Sequence, residues 1–253
     1  MKNTNHCHSR LGWNPVKSAN ELDSRLRGND GRRVILMKIT SLKNIMVLLS
    51  FIAFTSPAFA DEKLDAEITK IQHEWAKANY QTPEDAQESA FKALTEQAHQ
   101  LTISSANAPE ALIWEGIANS GYAKAKGGIG ALKIAEKARD LLLASEKINP
   151  QALQGSAYTS LGSLYYKVPG WPIGYGDKKK ARAYLEKALH VNPTGIDPNY
   201  FYADFLSEQG DYAKAVEYYQ KALAAPARPG REDADAGRKK EIEEGLKIAE
   251  KKS

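Results

Sequence analysis

The residues whose types could do chemistry are few, and their spacing is poor. His6, Cys7 and His8 form a dense cluster of metal-ligating types, but they stand in a polar, aperiodic front segment with nothing to fold around an ion. His73, His99 and His190 are isolated, and none has a second ligand three or four residues further on, so no metal site is expected. Gly174-Tyr175-Gly176 followed by Lys178-Lys179-Lys180 has some residue types of a phosphate loop. No strand precedes it and the Gly-Lys-Ser/Thr ending is absent, so the lysines read as the solvated start of a helix. With no nucleophile elbow and no Cys/His pair, the sequence predicts no catalytic residues, no cofactor and no enzyme activity.

What remains is recognition chemistry. Trp171 and Tyr175 stand on a loop with Pro169, Gly170, Pro172, Gly174 and Gly176. Aromatics on a Pro-restricted loop lose little entropy on binding and suit a hot spot. Trp171 either meets a partner this way or folds back to plug the end of its own hairpin.

The elements that position this loop begin well inside the chain. Residues 1–36 carry Gly/Asn/Asp clusters and no periodicity, and read as a disordered extension that follows a misplaced start codon. Met37 restarts the chain with Lys38 and Lys43, a short apolar run from Ile45 to Phe54, and a small-x-small site at Ala58-Phe59-Ala60. That pattern predicts a signal peptide over residues 37–60, cleavage after Ala60 and delivery to the periplasm. The run is too short to span a bilayer, so no stable membrane insertion is expected after cleavage. Residues 1–60 hold 9 of the 35 Lys/Arg and 3 of the 31 Asp/Glu, leaving 26 basic and 28 acidic residues, a net of −2. The basic pI therefore belongs to the leader, and nucleic-acid binding loses its support. Cys7 leaves with it, so the remaining chain forms no disulfide.

From Asp61 the pattern is helical throughout. Leu64, Ile68, Ile71 and Trp75 share one helix face, Thr82-Pro83 reads as an N-cap and first helical position, and Phe91, Leu94, Ala98 and Leu101 line a second helix. Residues 61–107 read as a capping hairpin. Tyr122 and Tyr165, Ala138 and Ala181, Leu142 and Leu185, and Pro150 and Pro193 are each 43 residues apart, which marks an internal repeat. Tyr158, Leu161, Gly162 and Tyr165 have the spacing large-x2-Leu-Gly-x2-Tyr, followed by Ala181, Leu185 and Pro193. In the preceding unit Ala118 and Asn119 stand where Leu161 and Gly162 stand. A third unit runs through Tyr202, Leu206, Gly210, Ala215 and Tyr219.

This pattern resembles the tetratricopeptide (TPR) repeat, with Tyr158 for the usual Trp and Leu185 for the usual Phe. The resemblance implies an all-α, right-handed superhelical solenoid of antiparallel helix hairpins, with three repeats over residues 108–230 and a capping helix over 231–253. Leu206 to Ala215 is 9 residues, but Tyr122 to Ala138 and Tyr165 to Ala181 are 16, so the first two units carry inserts, Lys126–Ala131 and Val168–Gly176. Equivalent points of stacked repeats are neighbours, so the inserts should share one edge.

Two function classes follow. One is a periplasmic interaction scaffold that binds a peptide or protein on the insert edge, or in the concave groove that TPR proteins commonly use. Helical phase places Thr159, Ser163, Tyr166, Tyr200 and Asp204 in that groove, a polar and aromatic mix without a Lys/Arg clamp for a carboxylate tail. The alternative is a lipid- or ligand-binding accessory subunit of an envelope transport system. That reading needs a cavity for a small apolar ligand near Trp114, Trp171 and Tyr175.

Overall fold

A pair of helices can pack closely only where one presents a small residue to the other. In the two hairpins that carry inserts, those positions are Gly116 and Gly162. A Cβ on Gly162 would lie 2.6 Å from Leu185 Cγ, and one on Gly116 would lie 2.8 Å from Leu142 Cγ. Leu142, Leu185, Ala138 and Ala181 are fully buried, and each buried leucine contributes about 1.5–3 kcal/mol of transfer free energy. The two seams are therefore equivalent, although their glycines differ by about one helical turn in register. Gly116 supplies the close approach in the unit where Asn119 occupies the position of Gly162.

The computed structural model describes residues 57–253. Among them nine helices follow one another: α1 (Pro57–Tyr80), α2 (Glu84–Ser104), α3 (Pro109–Lys126), α4 (Gly130–Ile148), α5 (Ala152–Lys167), α6 (Lys178–Val191), α7 (Ile196–Glu208), α8 (Tyr212–Leu223) and α9 (Glu232–Lys252). Among the described residues there is no strand, only a single bridge between Gly170 and Gly176 that staples the second insert. The fold is an all-α solenoid of helix hairpins. The extension over 1–36, the segment 37–56 and the His6-Cys7-His8 cluster lie outside the described residues, while Pro57–Ala60, the last residues of the expected leader, form the first turn of α1.

Local chemistry sets the helix ends. Pro109 opens α3, where a missing N–H costs nothing. Asp177 caps α6 by accepting from the Lys179 and Lys180 backbone N–H groups. Gly210, at φ +81°, makes the tight turn into α8. Thr82 does not cap α2 as expected; Pro83 holds the N-cap position, and the Thr82 hydroxyl donates back to Lys77 O at 3.0 Å, closing α1 instead. The entry to α5 was not legible from pattern. Leu153, Gln154 and Gly155 adopt left-handed φ values of 46°, 55° and 75°, and Asn192 Nδ2 donates to Gln154 Oε1 at 2.9 Å.

Two apolar clusters form the interior. The first joins α1, α2 and α3 through Ile68, Ile71, Phe91, Leu94 and Trp114. The second runs from α3 to α9 through Leu142, Leu161, Leu185, Leu206 and Ile242. Ile117 and Leu153 touch both, so the array is continuous.

α9 departs most from expectation. A terminal cap should cover the last hairpin and present a wet outer face. Ile242 and Ala249 do bury against α8, and Gly245 lets the Tyr219 ring approach. The other side of α9 also packs, on α1 at the far end of the chain. His73 Nδ1 lies 2.8 Å from Asp233 Oδ2, the Tyr80 hydroxyl donates to Glu241 at 3.0 Å, and a Cβ on Gly237 would sit 2.3 Å from the Tyr80 ring. The first helix and the last thus meet, and the array closes on itself.

Candidate functional site

Closure of α9 on α1 turns the concave groove into a cavity of about 830 Å³. The inner helices α1, α3, α5, α7 and α9 form its wall, and the two inserts form part of its rim through Gly127, Gly128, Ile129, Val168, Pro169 and Ile173. The second insert packs on the helix that follows the first: a Cβ on Gly174 would lie 3.4 Å from Leu132 Cδ2 at the start of α4, and the Tyr175 hydroxyl donates to Ala135 O at 2.8 Å.

One part of the wall is apolar, with Ile117, Leu132, Ala135, Leu164 and Phe201. Another part is charged. Asp197 of α7 accepts from both Arg228 of the α8–α9 linker and Arg238 of α9. Arg228 is also held by Asp235, and Arg238 by Glu241. Burial alone would raise the Asp197 pKa, but Arg238 and then Arg228 outweigh it and hold this carboxyl well below the ordinary range. Burial pushes the Tyr80 hydroxyl up despite Arg238. Deeper in, burial drives the Tyr166 hydroxyl well above its ordinary value, with Asp204 adding to the effect.

The wall also carries donors with no acceptor. Among the described residues the indole N–H groups of Trp75 and Trp114 and the Nε–H of Arg231 are covered and unbonded. Trp114 is 3% exposed, and the Arg231 guanidinium lies over its ring at 5.2 Å. Burial first, and then the neighbouring Arg228, lower the Arg231 pKa, so the surroundings do not fully compensate its charge. Each unsatisfied buried donor costs about 1–3 kcal/mol, and such groups call for an explanation.

Thr159, Ser163, Tyr200, Asp204 and Trp114 line the cavity. Tyr166 does not: it is buried behind the wall, edge-on to Phe205, and its hydroxyl donates to Asp204 at 2.7 Å. Tyr175 is not presented on the loop surface either. It is half-buried, edge-on to Tyr165, with Arg139 over its ring at 4.4 Å. Trp171 is 90% exposed and plugs nothing. Ile129 and Ile173, 88% and 66% exposed, accompany it on the inserts.

Sequence reasoning missed Trp75, Tyr80, Asp197, Arg228, Arg231 and Arg238. The groove does contain arginines, because the linker and α9 fold over it. The seven-residue step from Arg231 to Arg238, close to two helical turns, was the available signal. His73 and His99 pair with Asp233 and with buried Glu115, and Glu115 also holds Lys137 at 2.8 Å. Among the described residues no group of three or more His, Cys, Asp or Glu could hold a metal ion. No helix among them is long and apolar enough to cross a membrane.

The family model of the tetratricopeptide repeat matches residues 173–234, which run from the second insert through α6, α7 and α8 into α9. Residues 173–234 carry the tetratricopeptide repeat. Repeats of this kind generally serve as non-catalytic scaffolds for protein partners. No curated protein matches the chain. Among solved structures, a thermophilic TPR protein of Thermus thermophilus is similar at 18% identity and a TM-score of 0.48, over 75% of this chain and 94% of that one. Pseudomonas aeruginosa pilF is similar at 17% identity and a TM-score of 0.31, over 77% of this chain and 90% of that one.

Proposed function

We propose that this tetratricopeptide protein is an exported, periplasmic scaffold that grips a protein or peptide partner along the rim formed by its two inserts. The observation that carries this reading is the exposure of Trp171, Ile129 and Ile173 on the two inserts that border one cavity. Large apolar side chains grouped on stiff loops are costly to leave in water and suit the centre of an interface. Export rests on the leader pattern of residues 37–60. Affinity capture from periplasmic extract, comparing the natural chain with the Trp171→Ala/Ile173→Ala variant, tests the rim. Loss of a captured partner supports it, and an unchanged set of partners rejects it. Sequencing the N-terminus of the protein purified from cells tests export, with Asp61 expected first.

The cavity favours a second reading, a ligand-carrying accessory subunit. Its volume of about 830 Å³ falls within the roughly 300–1,000 Å³ of small-molecule sites.

A further inference from the structure

The charges around the cavity have an uneven pairing. Of its carboxylates, Asp197 is held by Arg228 and Arg238, Asp204 by Lys167 and the Tyr166 hydroxyl, and Glu241 by Arg238 and the Tyr80 hydroxyl. Among the cations, Arg228, Arg238 and Lys167 are thereby occupied, and Lys124 is exposed. Arg231 alone is half-buried and, among the described residues, has no carboxylate within 4.0 Å. The acidic neighbours on its own segment are also engaged: Glu232 by the Gly230 N–H, Asp233 by His73, and Asp235 by Arg228. The unmatched charge of the cavity is therefore positive, and Arg231 is the one unpaired cation that is not exposed, Lys124 being open to solvent. Arg231 adjoins the Trp114 ring and an apolar wall, and the lip at Ile129 and Ile173 is apolar as well.

We propose that the cavity binds a small amphiphilic carboxylate, with the head group received by the Arg231 guanidinium beside the Trp114 ring, and the chain lying against Ile117, Leu132, Leu164 and Phe201. This rests on the ligand-carrying reading above. A carboxylate fits because its two oxygens match the planar fork of one guanidinium. A dianion would meet Asp197, Asp204 and Glu241 with Arg231 as the one half-buried cation free to balance it. The apolar wall supplies the remaining affinity by burying chain methylenes.

The test is calorimetric titration of the purified chain with dodecanoate, dodecanol and acetate. Dodecanoate is expected to bind at least about tenfold more tightly than dodecanol, and acetate not measurably. Arg231→Gln is expected to abolish that preference while dodecanol binding stays unchanged, which also shows that the variant is folded. Arg231→Lys should restore part of the preference. Equal affinity for dodecanoate and dodecanol overturns the carboxylate proposal while leaving a ligand-binding cavity. No binding of either overturns both. A peptide that displaces dodecanoate only when its C-terminus is free, and that binds more tightly than dodecanoate, assigns the cavity to a protein tail and overturns the small-amphiphile proposal.

Discussion

Tyr80, the last residue of α1, donates its hydroxyl proton to Glu241 of α9 at 3.0 Å, across 161 residues of sequence. The same ring lies on Gly237, where a Cβ would come within 2.3 Å. This contact joins the two ends of the helical array, and the concave groove becomes a cavity because of it.

A side chain at position 237 should therefore separate the ends. Gly237→Val places branched carbon against a ring that Trp75 holds edge-on at 5.7 Å. Overpacking of this kind costs about 1–3 kcal/mol. The expected outcome is a lower Tm and faster amide exchange concentrated in α1 and the first half of α9, with the repeats from α3 to α8 protected as before. Unchanged exchange in α1 would mean that the closure is not a structural unit.

Asp197 links the buried Arg238 and the half-buried Arg228, and removing its charge leaves both without their shared partner. Asp197→Asn should destabilise the fold by about 3–5 kcal/mol at pH 7. Its carboxyl is held below the ordinary value of 3.8. The stabilisation is thus fully present above that value and is lost as pH falls through the lower, folded-state pKa. Urea midpoints measured from pH 7 downward should show the difference between the natural chain and the Asp197→Asn variant constant to about pH 4 and shrinking below it. A difference that grows in acid would contradict the assignment.

The two seams should be energetically alike. Leu142→Ala and Leu185→Ala each remove a fully buried side chain packed on a glycine and should each cost about 2–5 kcal/mol by chemical denaturation. A site that costs less than about 1 kcal/mol would show that its hairpin collapses around the gap and is not packed as described.

Trp171→Ala should leave stability within about 0.5 kcal/mol, because the residue is 90% exposed and touches no core cluster. Tyr175→Phe is the informative contrast. It removes only the hydroxyl that donates to Ala135 O between consecutive repeats, and should cost about 0.5–1.5 kcal/mol.

The helices, their hairpin pairing and the two long inserts were legible because they are periodic signals. The 43-residue offset of Leu142 and Leu185, and the Pro and Gly breaks between segments, each depend on residues close in sequence. Thr159, Ser163, Tyr200 and Asp204 were legible for the same reason, since helical phase fixes which face they occupy. Tyr166 shows where phase fails. It lies near the border of that face, and the 2.7 Å bond to Asp204, a residue of another repeat, draws it under the wall.

Sequence by itself determined an all-α array of helix hairpins, because the period of small and apolar residues admits no other way to bury them. Only the tertiary structure decided that the array closes, and with it that Trp75, Tyr80, Asp197, Arg228, Arg231 and Arg238 share one cavity. The physical reason is accumulation: each hairpin sets a small rotation relative to the last, and whether the ends meet depends on the sum of those rotations, which no local pattern encodes.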